Sequence, residues 1–168
     1  LRAPPLTPLA AAVLHVPVPE RALAVECGEG EAALLIAREF PAARVRGVDS
    51  SPARIREASA RVGLDPEGRV AFKVGKRSDL PYPDGFFDLV AQVDGRPAAA
   101  EIVRVLRSGA HLILARSQPP GFAGEVRDRW LRRRLSRHGI VPVHSAQAGN
   151  GNFFVGRLGD GDASPPSN

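Results

Sequence analysis

The residues whose types and spacing could do chemistry begin with C-G-E-G-E-A-A, Cys27 to Ala33, and with Asp49. Gly28 and Gly30 follow a short apolar run and open a stretch of helical composition. Backbone there can come close to a ligand, and the helix start offers N–H groups without partners. Asp49 ends the next apolar run, at roughly the 20-residue separation from which a carboxylate accepts hydrogen bonds from ribose hydroxyls. Together these features describe nucleotide recognition at one edge of a sheet. The turn alone does not choose the nucleotide, because G-E-G-E-A-A also satisfies the dinucleotide pattern G-x-G-x-x-G/A, with Ala33 in the third small position. The plainer alternative is that the glycines only turn the chain and Asp49 only caps the helix after it.

A frame must position these residues, and the sequence spells one out. A-L-A-V-E-C from Ala22 reads as a buried strand, and E-A-A-L-L-I-A-R-E-F as a helix that stops before Pro41. Ala43 to Asp49 is a second strand. Ser51 is placed to cap the following helix, with Pro52 at its first position and Gly63 closing it. R-V-A-F-K-V-G and F-F-D-L-V-A-Q-V are further strands. P-A-A-A-E-I-V-R-V-L is a helix ending at Ser108-Gly109, and A-H-L-I-L-A is the strand after it. This alternation predicts parallel βαβ units and an α/β sheet covered by helices on both faces.

The C-terminal third changes character. G-E-V-R-D-R-W-L-R-R-R-L-S-R-H-G reads as an amphipathic helix with Val126, Trp130, Leu131 and Leu135 near one face. I-V-P-V-H-S-A-Q and N-F-F-V-G-R-L, joined by A-G-N-G, form an antiparallel hairpin. The predicted organisation is a proline-rich leader over 1–20 with a short helix between Leu9 and Leu14, one domain over 21–159, and a disordered tail over 160–168.

Composition sets the outer bounds. With 43% apolar residues in 168, one domain with a real core is expected. No run approaches the roughly 18 apolar residues of a membrane span. The first residues lack a signal peptide's apolar centre, so a soluble, cytoplasmic protein with no membrane partner is expected. Cys27 is the lone cysteine, which excludes an internal disulfide, and no metal site is read from the sequence. The net charge of +5 is carried almost wholly by arginine, since Lys73 and Lys76 are the only lysines among 23 basic residues. Arg127, Arg129, Arg132, Arg133, Arg134 and Arg137 crowd the late helix. They read first as a solvated face and second as a nucleic-acid contact.

Asp79 to Val90 (D-L-P-Y-P-D-G-F-F-D-L-V), Glu101 to Ala115 (E-I-V-R-V-L-R-S-G-A-H-L-I-L-A) and the terminal hairpin, in this order and spacing, resemble the class I S-adenosylmethionine-dependent methyltransferases, especially their small-molecule branch. The resemblance runs from about Ala22 to Leu158. It implies a Rossmann-like three-layer sandwich whose seven-stranded, mostly parallel sheet has the order 3-2-1-4-5-7-6 with strand 7 antiparallel. It also implies S-adenosylmethionine lying across the carboxyl ends of strands one and four. Cys27, Gly28 and Gly30 would lie beside its methionine portion, Asp49 on the ribose, Ser50 near the adenine, and Gln92 facing the methyl-transfer site.

Three positions depart from the family pattern. Ala24 stands where an acidic residue is usual, Glu26 where a glycine is usual, and G-K-R at Gly75 to Arg77 where G-D-A is common. A buried carboxylate at Glu26 must be paired, solvated or in contact with a cation such as the methionine amino group. Lys76 cannot accept from an adenine amino group, and Asp79 aligns better with the acid before the L-P step. Lys76 and Arg77 make that corner basic, to pair with Glu26 or Asp79 or to favour a phosphate-bearing ligand; Glu26 and Arg77 join the expected cofactor-contacting set. Methyl transfer asks mainly for in-line positioning and exclusion of water, so no catalytic residue is assigned. Asp94 is the leading candidate for a base or an acceptor-orienting group, ahead of His15, Tyr82 and His144. Little chain remains for a lid, so the site is open, is completed by a second copy or partner subunit, or does not methylate. Three readings stand: methyl transfer to an unidentified acceptor, a non-catalytic binding protein on the same fold, and another nucleotide-binding protein.

Overall fold

Short runs of small and β-branched residues form the middle of one seven-stranded sheet in the computed structural model, which describes residues 4–161. The elements are α1 (Thr7–Ala12) with a 3-10 turn (Val13–His15), β1 (Arg21–Val25), α2 (Glu31–Glu39), β2 (Arg44–Asp49), α3 (Pro52–Val62), β3 (Val70–Val74) and β4 (Phe87–Val93). They continue with α4 (Ala99–Val105), β5 (Leu106–Arg116), α5 (Phe122–Arg137), β6 (Ile140–Ala148) and β7 (Gly151–Leu158). The sheet order is β3-β2-β1-β4-β5-β7-β6. β7 runs antiparallel to both neighbours, and the other pairs are parallel. This is the Rossmann-like topology that the resemblance implies.

The period of two along β1 divides the core. Ala22 and Ala24 face α1, α2 and α3 with Ala33, Ile36 and Leu9. Leu23 and Val25 face α4 and α5 with Ile102, Val105 and Leu135. Alanine against alanine lets α2 lie close on the strands that carry the glycine turn. Ser51 caps α3 by accepting from the Arg54 N–H at 3.4 Å, with Pro52 at the first helical position. One Nη of Arg69 donates to the carbonyls of Ala37, Phe40 and Ala43 at 3.2, 3.3 and 3.0 Å, fastening the end of α2 to the start of β2.

The first helix belongs to this core. Leu9 and Ala12 are buried, and α1 packs on β7 and β5. Contact is close where Gly151 begins β7: a Cβ there would sit 3.0 Å from Pro8 Cγ and overlap the Arg116 carbonyl. Two sequence expectations are corrected. β5 starts at Leu106 and runs through Ser108-Gly109, so α4 ends before that pair. The pairing shifts from Phe87↔Leu106 to Leu89↔His111, and the extra residues are absorbed where Gly109 has φ +79°.

On α5, Leu135 is 1% exposed, whereas Val126 is 48% and Trp130 62% exposed. At about 100° per residue they lie about 180° and 140° around the helix from Leu135, so they cannot share its face. The inner face of the first turns is supplied instead by Gly124, which is buried, and by Asp128, which pairs with Arg116. None of the helices among the described residues is long and apolar enough to cross a membrane.

Candidate functional site

The chain leaves β1 through three left-handed residues at alternate positions. Glu26 has φ +50°, and Gly28 and Gly30 have φ +56° and +94°. For Glu26, a residue with a Cβ, the left-handed conformation costs about 1 kcal/mol or more. The two glycines do different jobs. A Cβ on Gly28 would meet nothing within 4 Å, so this residue faces open space at the sheet edge. A Cβ on Gly30 would sit 3.0 Å from Phe72 and 3.1 Å from Ala58, so Gly30 packs inward beneath the turn.

Asp49, only 4% exposed, ends β2 beside this turn. One carboxylate oxygen accepts from the Gly28 N–H at 3.0 Å and the other from the Ser51 N–H at 2.9 Å. The side chain thus braces the turn and starts α3, the plainer of its two expected roles. A carboxylate has about four acceptor sites, so capacity remains for a ligand hydroxyl. Ser50 beside it is exposed. The Cys27 thiol is buried, and burial together with the nearby Asp49 carboxylate pushes its pKa up to about 12, which leaves it protonated and a poor nucleophile.

The carboxylate of Glu26 spans the crevice between the ends of β1 and β4. Its Oε1 accepts from Arg77 Nη1 at 3.2 Å and its Oε2 from Gln92 Nε2 at 3.1 Å. Gly95, in the loop after β4, has φ +72°, which favours glycine, and a Cβ there would overlap Oε2, so a side chain at this position would push the Glu26 carboxylate away. Gln92 is 1% exposed and its Oε1 has no hydrogen-bond partner. An unpaired buried acceptor therefore lies beside a carboxylate, in a corner that a donor-rich cation would satisfy.

Elsewhere the candidates have structural attachments. Lys76 is exposed, and the turn it begins is closed by the Asp79 N–H donating to its carbonyl at 3.1 Å. Asp94, with φ +58°, accepts from the Ser117 N–H at 2.9 Å and from the Ser117 Oγ at 2.8 Å, binding the loop after β5 to the end of β4. Tyr82 packs edge-on to Phe87 at 4.9 Å in the core below α4. His15 and His144 stack on each other at 4.0 Å between the 3-10 turn and β6. Structure brings together Glu26, Arg77 and Gln92, with Gly28 and Asp49 alongside. Gly95 was missed from sequence, and so was a groove of about 680 Å³ formed by the loop after β5, α5 and the β6–β7 turn. Its walls include Gln118, Arg132, Gln147 and Asn152. No spacing rule links those residues before the fold does. A smaller pocket of about 40 Å³ shares Arg132 and Asn152 with the groove and reaches Gln92.

Residues 22–109 match the model of a family described as "Methyltransferase domain". The chain is similar to ajmaline N-methyltransferase of Rauvolfia serpentina, 37% identical over 106 residues that cover 57% of this chain and 35% of that protein. It is 30% identical over 139 residues to demethylmenaquinone methyltransferase of Deinococcus radiodurans, covering 77% of this chain and 57% of the other. Among solved structures, geranyl diphosphate C-methyltransferase of Streptomyces coelicolor, determined with S-adenosyl-L-homocysteine, superposes with a TM-score of 0.72 at 14% identity. That superposition covers 89% of this chain and 76% of the other, and it shows the fold. The chain spans between about a third and three fifths of the length of these curated relatives. The match over more than half of the residues, on a sheet of this order, makes the chain a member of the class I S-adenosylmethionine-dependent methyltransferases.

Proposed function

We propose that this chain transfers a methyl group from S-adenosylmethionine to an acceptor that enters from the β5–α5 side of the crevice. The observation that carries the reading is the corner made by Glu26, Gln92 and Arg77. The unpartnered Gln92 Oε1 and the Glu26 carboxylate would both accept from the ammonium of an amino acid, and Arg77 would take its carboxylate. The ion pair already present thus matches, charge for charge, the zwitterion that would divide it. Gly28 leaves the approach open, and Asp49 keeps acceptor capacity for a ribose. When bound, the cofactor supplies an electrophilic methyl on its sulfonium. The chain's own work is to orient that group, exclude water and align the acceptor, and the pocket that leads from Gln92 past Leu114 and Phe154 to the polar groove is suited to the last of these.

One observation favours the non-catalytic reading. The Glu26–Arg77 pair lies across the crevice, so a protein in which it never yields would keep the fold and lose the cofactor. Calorimetry separates the two. Binding of S-adenosylmethionine and S-adenosylhomocysteine, with no binding of nicotinamide dinucleotides, supports methyl transfer. No adenosyl-ligand binding at millimolar concentration overturns it.

A further inference from the structure

The outward face of α5 is not the polar surface that its arginines suggest. Phe122 is 84% exposed, and with Val126 and Trp130 it forms a row at i, i+4 and i+8. At about 100° per residue this row spans about 80°, and Arg133 and Arg137 fall inside the same arc with Arg129 just beside it. Six arginines on this helix face two acids, Glu125 and Asp128, and Asp128 is already held by Arg116. No carboxylate among the described residues pairs with Arg127, Arg129, Arg133 or Arg137. Exposed apolar anchors interleaved with unpaired guanidinium groups fit an interface that is apolar below and anionic at its surface.

We infer that α5 docks lengthwise on an anionic lipid surface, with Phe122, Val126 and Trp130 entering the acyl boundary and the arginines engaging headgroup phosphates. A nucleic acid is the less suitable occupant. Val126 has no ring to stack on a base, and the Arg134 guanidinium lies over one face of the otherwise exposed Trp130 ring, 5.6 Å from its centroid, where a base would stack. Docking of this kind needs no spanning helix. A groove of about 580 Å³ opens beside Trp130 and passes Arg96 and Leu131 to Gly95, the residue against which Glu26 lies. The lipid-facing surface is therefore continuous with the crevice. Use of that groove by an acceptor rests on the proposed methyl transfer; the docking does not, and it is measured without cofactor.

Trp130 is the only tryptophan, so its emission reports directly on this face. The protein is titrated with phosphatidylcholine vesicles with and without phosphatidylglycerol, with sedimentation and Trp130 emission read together. Expected are co-sedimentation with the phosphatidylglycerol vesicles, a shift of emission to shorter wavelength, and loss of both at high salt. Arg133→Gln weakens binding about fivefold. Phe122→Ser with Val126→Ser weakens it about tenfold while leaving the melting temperature unchanged, because both side chains are exposed. Failure to sediment, sedimentation with unmoved Trp130 emission, or undiminished binding by the double variant overturns the inference. So does binding of an RNA or DNA oligonucleotide in place of vesicles.

Discussion

Glu26→Gln keeps the shape of the side chain and removes its charge. The amide can still meet Gln92 across the crevice, and the left-handed backbone at φ +50° is unchanged. What the fold loses is one ion pair with Arg77 between half-exposed groups, contributing at most about 1 kcal/mol. In a chain of this size the melting temperature should fall by no more than about 4 °C. Ligand binding should respond far more strongly. A hydrogen bond between an ammonium and a buried-edge carboxylate contributes about 1.5–3 kcal/mol, so the affinity for S-adenosylhomocysteine should drop about ten- to a hundredfold. The discriminating ligand is 5′-methylthioadenosine, which keeps the adenosyl group and lacks the amino-acid end; its affinity should be the same for both proteins. Calorimetry on both ligands gives the answer. Tighter S-adenosylhomocysteine binding by the variant would make Glu26 an obstruction, and equal losses for both ligands would place its effect on the turn as a whole. Either result refutes the zwitterion argument.

The two glycines of the turn should separate by site. Gly30→Ala, strained at φ +94° and pressed on Phe72 and Ala58, should cost about 2 kcal/mol or more in urea unfolding, against about 1 kcal/mol for Gly28→Ala, which meets only backbone strain. Tyr82→Phe removes a buried hydroxyl that has no partner, and its urea midpoint should rise by the equivalent of about 1 kcal/mol. Burial raises the Cys27 pKa from 9.0 to about 12, so the folded state holds its proton longer than the unfolded chain. Stability from this group is intact below pH 9 and is lost as pH climbs towards 12; Cys27→Ala should flatten that part of the unfolding profile, and an unchanged slope would disprove the assignment.

The alternation of strands and helices was legible because element ends are marked, as Ser51, Pro52 and Gly63 mark α3, whereas the order of the strands in the sheet came only from the resemblance to the methyltransferases. The boundary at Ser108-Gly109 was misread since a glycine in a bulge and a glycine ending a helix look alike in sequence. On α5 the apolar residues form two sets, Leu131 with Leu135 and Phe122 with Val126 and Trp130, and only the docked helix shows which set faces in. Gly28, Gly30 and Asp49 announced themselves by type and spacing. Of the partners of Glu26, Arg77 was anticipated from the basic corner after β3, whereas the contact with Gln92 was not, because the two residues are distant in sequence and meet only once β1 and β4 lie side by side. Gln92 Oε1 became informative only through the absence of a partner, a property no residue pattern records.

The contact of α1 with β7 has a consequence for how the molecule is made. The apolar side of α1 leaves the ribosome well before the strand that covers it, which follows more than a hundred residues later. At about 5–20 residues per second that interval is on the order of ten seconds, during which Leu9, Ala12 and Val13 have no final resting place. Closure of the domain is thus a late event in synthesis, when the β6–β7 hairpin arrives and the two ends of the fold meet.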